Sequence, residues 1–214
     1  MKNQKIAVET YKYFSYLEGN QHIASEFALK KIIDIIENYK IKNVLELGLG
    51  IGSISFCILE FASKKRQNIH YTGTESNEFC LKVLPKYLKS HFDKIQIFNN
   101  LSNVILSKKF DLIIIDGKEE NLLKVKDMIS ERGIIIIEGD RMPQLELVKS
   151  VFSKHKYVRI ISNQFNRNYG PCSVFPSHYI GGIQLIFINP DLMQKLNFVY
   201  YRISTAIKYR LRSS

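Results

Sequence analysis

No tryptophan occurs in this sequence, and cysteine and proline are scarce, three and five in 214 residues. Cys57, Cys80 and Cys172 stand apart with no CxxC pair, which argues against a disulfide framework and a structural zinc site and fits a reducing compartment. Internal repeats, low-complexity stretches and Pro/Gly-rich linkers are also missing, so residues 1–190 read as one domain with an N-terminal helical segment. Long apolar runs are absent too. "LIII" and "GIIII" have the length of strands and fall far short of a membrane span. The opening "MKNQKIAVETYKYF" carries no apolar run of signal-peptide length, so the expectation is a soluble, cytoplasmic protein. Acids are in deficit, 20 against 31 basic residues, a net charge of +11 that favours anionic partners.

What is present is an ordinary globular balance, 45% hydrophobic and 24% charged. Leu29, Ile32, Ile33 and Ile36 recur at helical spacing within a segment from His22 to Tyr39. After it, strand-like runs alternate with helical ones. "NVLEL" is followed by a helix begun by Ser53, and "IHYTGTE" by a helix that Ser76 could cap. "KIQIFNN", "FDLIIID" and "GIIIIEGD" supply three more strands, with a helical stretch between the last two and Pro143 suited to the first turn of the next helix. "YVRIIS" and "GGIQLIFIN" have no helix between them and are expected to pair antiparallel. Alternating strands and helices with β-branched strands predict an α/β fold, a Rossmann-like doubly wound sheet covered on both faces. Ligands of such sheets bind beyond the carboxyl ends of the strands.

At the first of those ends stands "VLELGLGIGSISF", with Gly48, Gly50 and Gly52 between a strand and a helix. Glycines there allow a ligand to approach the backbone and the helix N-terminus. Glu75, 23 residues beyond Gly52, ends the second strand, where a carboxylate can accept hydrogen bonds from the hydroxyls of an adenosine ribose. Nicotinamide dinucleotides and S-adenosylmethionine both use this arrangement. The dinucleotide fingerprint requires glycine at position 53, which is Ser53, and Glu46 beside a pyrophosphate would be repulsive. Near the amino group of a bound amino acid Glu46 would be useful, which favours S-adenosylmethionine.

Taken in order, "VLELGLGIGS", "TGTES", "NNLSNV", "FDLIIIDG" and "RGIIIIEGD" resemble the class I S-adenosylmethionine-dependent methyltransferases, nearest to the small-molecule O-methyltransferases related to catechol O-methyltransferase. The resemblance covers roughly residues 20–190. It implies a seven-stranded sheet, mostly parallel with an antiparallel C-terminal hairpin, and methyl transfer from S-adenosyl-L-methionine to a hydroxyl of a small molecule, metabolite or sugar. Glu46, Gly48, Gly50 and Gly52 match the loop for the methionine part, Glu75 the ribose acid, and Ser76 its neighbour beside the adenosine. Leu101 and Ser102 match the positions flanking adenine. Asp116 matches the acid ending the fourth strand, near the sulfonium. The alternatives are an NAD(P)-dependent oxidoreductase and a non-catalytic cofactor-binding or interaction module on the same fold.

Departures from the family pattern bear on the chemistry. Metal-dependent relatives carry Asp-Asn after the fifth strand, and here Gly139 and Asp140 follow Glu138. Asp116, Glu138 and Asp140 could gather around magnesium, or Glu138 could bind Arg141 or Arg132 instead, and an obligatory metal is not favoured. The lysine base of these relatives is replaced by Glu119, leaving Asp116, Asp140 and His178 as candidate catalytic residues. His178 lies in the long connection "NRNYGPCSVFPSHYIGG", expected to form a lid. No motif for exocyclic base amines or for nucleic-acid recognition accompanies the charge, so nucleic acid is not an expected partner.

The remaining segment, 191–214, reads as a separate basic amphipathic tail. From Leu192 to Ser214 it holds Lys195, Arg202, Lys208, Arg210 and Arg212 and no acid. Peripheral contact with an anionic membrane or with a partner subunit is one expectation, a solvated helix the other. A lipid-linked sugar would be an acceptor consistent with membrane contact.

Overall fold

The computed structural model describes residues 2–105, 109–164 and 179–213. Seven strands form one sheet in the order β3-β2-β1-β4-β5-β7-β6. They are β1 (Asn43–Leu47), β2 (His70–Thr74), β3 (Ile95–Phe98), β4 (Phe110–Ile115), β5 (Ile129–Glu138), β6 (Lys156–Ile160) and β7 (Ile183–Phe187). Neighbours from β3 through β5 are parallel, while β7 runs antiparallel to both β5 and β6. This is the expected arrangement, including the antiparallel pair at the C-terminal edge.

Alternation of side chains across the strands divides the core in two. Val44, Leu112, Ile114, Ile134 and Ile136 face one side, where they meet α1 (Lys2–Ser15), α2 (Glu26–Tyr39), α3 (Ser53–Lys65) and α4 (Glu78–Leu88). Leu45, Leu47, Ile113, Ile115, Ile135 and Ile137 face the other, under α5 (Val125–Met128) and α6 (Met142–Val151). Each of these fully buried aliphatic chains contributes about 1.5–3 kcal/mol. The second side is thinly roofed. Where a helix was expected between β4 and β5 there is a short 3-10 turn and the single-turn α5, because Asn121 to Met128 leaves room for little more.

Local chemistry sets the helix boundaries. Ser25 caps α2 by accepting from the Ala28 N–H at 3.2 Å, and Lys40 ends that helix in the left-handed region at φ 52°. One expected cap shifts by one residue. The cap of α4 is Asn77, whose Oδ1 accepts from the Cys80 N–H at 3.1 Å, and not Ser76. As expected, Ser53 begins α3, and Gly52 precedes it in the left-handed region. The C-terminal segment is one long helix, α7 (Leu192–Ser213), laid along the edge strand β6.

Candidate active site at the carboxyl ends of the strands

The three glycines after β1 do three different things. Gly48 (φ +90°) forms a seam, since a Cβ there would lie 2.6 Å from the Gly117 Cα in the turn after β4. Its N–H donates to the Thr74 carbonyl at 3.1 Å, and those of Asp116 and Gly117 donate to the Leu47 carbonyl at 2.9 and 2.8 Å, so three strand ends are tied together. Gly52 (φ +93°) gives passage to Leu84 and Leu88 of α4. Only Gly50 (φ +53°) has open space where a side chain would be. The clearance expected of all three glycines is thus concentrated at the middle one.

Glu75 organises the loop around that opening. Its Oε2 accepts from the Gly50 N–H at 2.6 Å, while Oε1 accepts from the N–H groups of Ser76 and Asn77 at 2.9 and 2.8 Å. Three charge-assisted bonds from backbone donors fix the carboxylate and the glycine turn as one unit. Ser76 itself is exposed. On the neighbouring loop Leu101 is buried and its N–H donates to Glu119 Oε2 at 3.1 Å, while Glu119 Oε1 takes the Asn121 N–H at 3.1 Å. Glu119 is therefore a staple between the loops after β3 and β4. Ser102 is at the surface and accepts from Lys124 Nζ at 2.9 Å.

A second polar group gathers after β4 and β5. Register places Ile115 beside Ile137, so Asp116 and Glu138 emerge side by side and their carboxyls share a hydrogen bond. Arg141 closes the cluster. Its Nε donates to the Glu138 carbonyl at 3.1 Å, and its terminal nitrogen to the Asp116 carbonyl and to Asp116 Oδ1, the latter at 3.1 Å. Burial raises the pKa of Asp116 against the pull of Arg141. Glu138 is raised further, by burial first and then by the Asp116 charge beside it. Two carboxyls so placed hold one proton between them near neutrality. Gly139 (φ +73°) again leaves open space at the turn after Glu138.

Glu46 is enclosed. It is fully buried, and Tyr71 on β2 donates its hydroxyl to Oε2 at 2.5 Å, while Oε1 has no hydrogen-bond partner. Burial holds both groups in their neutral forms, with the Glu46 pKa well above the usual carboxylate range. Asp140 goes elsewhere. It is exposed and pairs at 2.5 Å with Arg159 of β6, away from Asp116. Among the described residues, no three His, Cys, Asp or Glu side chains are grouped to hold a metal ion. His178, and with it the expected lid, lies outside the described residues.

Sequence reasoning missed the N-terminal roof. Ile51, at the tip of the glycine turn, is buried against Phe14 of α1 and Tyr87 of α4. Gly19 (φ +85°) is seated where a Cβ would meet Phe79 at 2.7 Å and Ile51 at 2.9 Å. The same segment brings His22 near enough for its charge to favour ionised Asp116. The spacing of Phe14 and Gly19 carries no signal of this, because their partners are thirty or more residues away.

No protein-family model matches the chain, and no curated protein matches it in sequence. Solved structures do match. A methyltransferase of Podospora anserina bound to S-adenosylhomocysteine is 15% identical, with 86% of this chain and 87% of that one covered at a TM-score of 0.58. An O-methyltransferase of Bacillus cereus, also in complex with S-adenosylhomocysteine, is 11% identical over 86% and 90% at 0.61. A tRNA (m1A58) methyltransferase of Aquifex aeolicus is 17% identical over 83% and 74% at 0.58. The chain has the Rossmann-like fold of these methyltransferases. At such identities the likeness is one of fold.

Proposed function

We propose that this chain is an S-adenosylmethionine-dependent methyltransferase that acts on a hydroxyl of a small molecule. The observation that carries the reading is the Glu75 carboxylate, fixed by three backbone donors beside the open face of Gly50. Oε2, which accepts only the Gly50 N–H, keeps a lone pair for a ribose hydroxyl, while Oε1 is filled by its two backbone donors. The available space, the buried unpartnered oxygen of Glu46 behind it and the nearby acidic pair suit a cationic amino-acid nucleoside better than a pyrophosphate. Leu101 would flank the adenine, with Ser76 and Ser102 at its rim, and the Gly48–Gly52 turn and Asp116 would face the methionine end.

When bound, S-adenosylmethionine supplies a methyl group on a sulfonium, and its transfer is an in-line displacement. The chain's own contribution is orientation and proton handling. With the cofactor bound, Asp116 would accept the proton of the acceptor hydroxyl as the methyl group is transferred. Glu138 and Arg141 hold that carboxylate in place. We read Asp116 as the base in preference to Asp140, whose carboxylate is drawn out to Arg159. A divalent metal is not part of this reading, since Arg141 already engages Asp116 Oδ1.

The oxidoreductase alternative is disfavoured by the antiparallel β7 between β5 and β6, because dinucleotide-binding sheets keep these strands parallel. Calorimetric titration with S-adenosylhomocysteine and, separately, with NADH tests the cofactor. Binding of the former that is lost in Glu75→Ala is the expected result, and binding of NADH alone would overturn the proposal. Transfer of isotopically labelled methyl to a panel of hydroxyl and amine acceptors, with and without a chelator, then tests the acceptor and metal assignments.

A further inference from the structure

The helix α7 is two-sided, and the fold uses only one of its faces. On the inner face Gln194, Tyr201 and Thr205 are buried. Gln194 Nε2 donates to the Arg132 carbonyl at 2.9 Å, Thr205 Oγ1 to the Arg159 carbonyl at 2.7 Å, and Lys208 Nζ to the Ile161 carbonyl at 2.8 Å. These bonds run from the start of β5 to the far end of β6. They pin the helix to the sheet edge along its length.

The opposite face is apolar and uncovered. Leu192, Leu196, Val199, Ile203 and Ile207 recur every three or four residues, so they form one stripe. Each is at least half exposed, from 50% for Val199 to 74% for Leu192. Met193, Tyr200 and Leu211 widen it. Isolated exposed leucines are ordinary, but a contiguous stripe of this length on a pinned helix marks a contact surface.

Charge chooses the occupant. Lys195 and Arg202 flank the stripe on one side, Arg210 lies at its C-terminal end, and no acid occurs from Leu192 to Ser214. A second copy packed face to face would bring the same cations together with no carboxylate on the helix to pair with them. A surface of anionic lipid headgroups answers both features at once, taking the apolar stripe into the headgroup–acyl boundary and the cations at phosphate level. Among the described residues, no helix is long and apolar enough to cross a membrane, so the contact is lateral.

We infer that the outer face of α7 docks this protein on anionic membrane surfaces. This inference is independent of the reaction proposed above. The helix rises along β6 to Ser162, whose carbonyl accepts from Arg212, so a docked membrane would pass beside the carboxyl end of the sheet where Asp116 and Glu138 lie.

The test is co-flotation of the full-length protein with vesicles of phosphatidylcholine alone and with phosphatidylglycerol added. The expected result is binding to the anionic vesicles only, weakened by high salt. Lys195→Gln with Arg202→Gln should weaken it roughly thirty-fold, as each surface cation accounts for about fivefold in partitioning. Leu196→Glu with Ile203→Glu should abolish it. Both pairs are solvent-exposed, and unchanged thermal unfolding of the variants establishes that the fold is intact. Equal binding to neutral vesicles would overturn the inference. So would absence of binding to either, whether the protein is then monomeric or forms a dimer that Leu196→Glu dissociates.

Discussion

The two polar groups at the carboxyl ends of the strands are built on opposite principles. After β2, the Glu75 carboxylate is surrounded by three backbone N–H groups, which fix its position. After β4 and β5, Asp116 and Glu138 are pressed against each other and share a hydrogen bond, with one guanidinium for company. The first arrangement suits a rigid acceptor of hydrogen bonds. The second suits a group that takes up and releases a proton near neutral pH. Under the proposed function, binding falls to one half of the cleft and proton transfer to the other, and the seam between Gly48 and Gly117 holds the halves in register.

Breaking the seam should have the largest effect. Gly48→Ala forces a Cβ into the Gly117 backbone and a side chain into the left-handed region, so a loss of about 3 kcal/mol or more is expected in urea unfolding. Next comes Glu75→Ala, which removes the partner of three N–H groups and the prospective ribose contact of Oε2. The affinity for S-adenosylhomocysteine should fall about thirty-fold or more, the equivalent of one charged hydrogen bond.

The acidic pair gives a pH signature of the opposite sign from a salt-bridged carboxylate. A carboxyl raised in the folded state binds its proton more tightly there than in the unfolded chain. Its burial is therefore free of penalty below the unfolded value of 4.5, and stability is lost as the pH rises through the folded value of about 8. Glu138→Gln should leave the melting temperature unchanged at about pH 4 and raise it by roughly 5 °C at about pH 9. An alkaline limb that is identical in the variant would remove the shared-proton account. The smallest effect is expected of Asp140→Asn. Its exposed pair with Arg159 is worth about 0–1 kcal/mol, and with Asp116 as the proposed base methyl transfer should proceed at the wild-type rate.

Much of this was legible in the sequence. The β-branched runs mark the strands, and the acids at Glu75 and Asp116 mark the ends of two of them. What was not legible depends on contacts distant in sequence or on choices one residue wide. Ser76 and Asn77 are both competent caps, and only the geometry of the turn after Glu75 selects the asparagine. Glu119 reads as a missing lysine until Leu101 is found donating to it. Arg141 becomes a clamp only because the β4–β5 register sets Asp116 beside Glu138. The Tyr71 hydroxyl that bonds Glu46 Oε2 lies on the neighbouring strand, 25 residues away, which spacing along the chain does not announce.

The most direct test of the division between the two halves is a side-by-side titration of Glu75→Gln and Glu138→Gln with S-adenosylhomocysteine at neutral pH. The account predicts that the first loses about thirty-fold in affinity or more, and that the second stays within about threefold of the wild type. Loss of binding in Glu138→Gln with wild-type affinity in Glu75→Gln would contradict it.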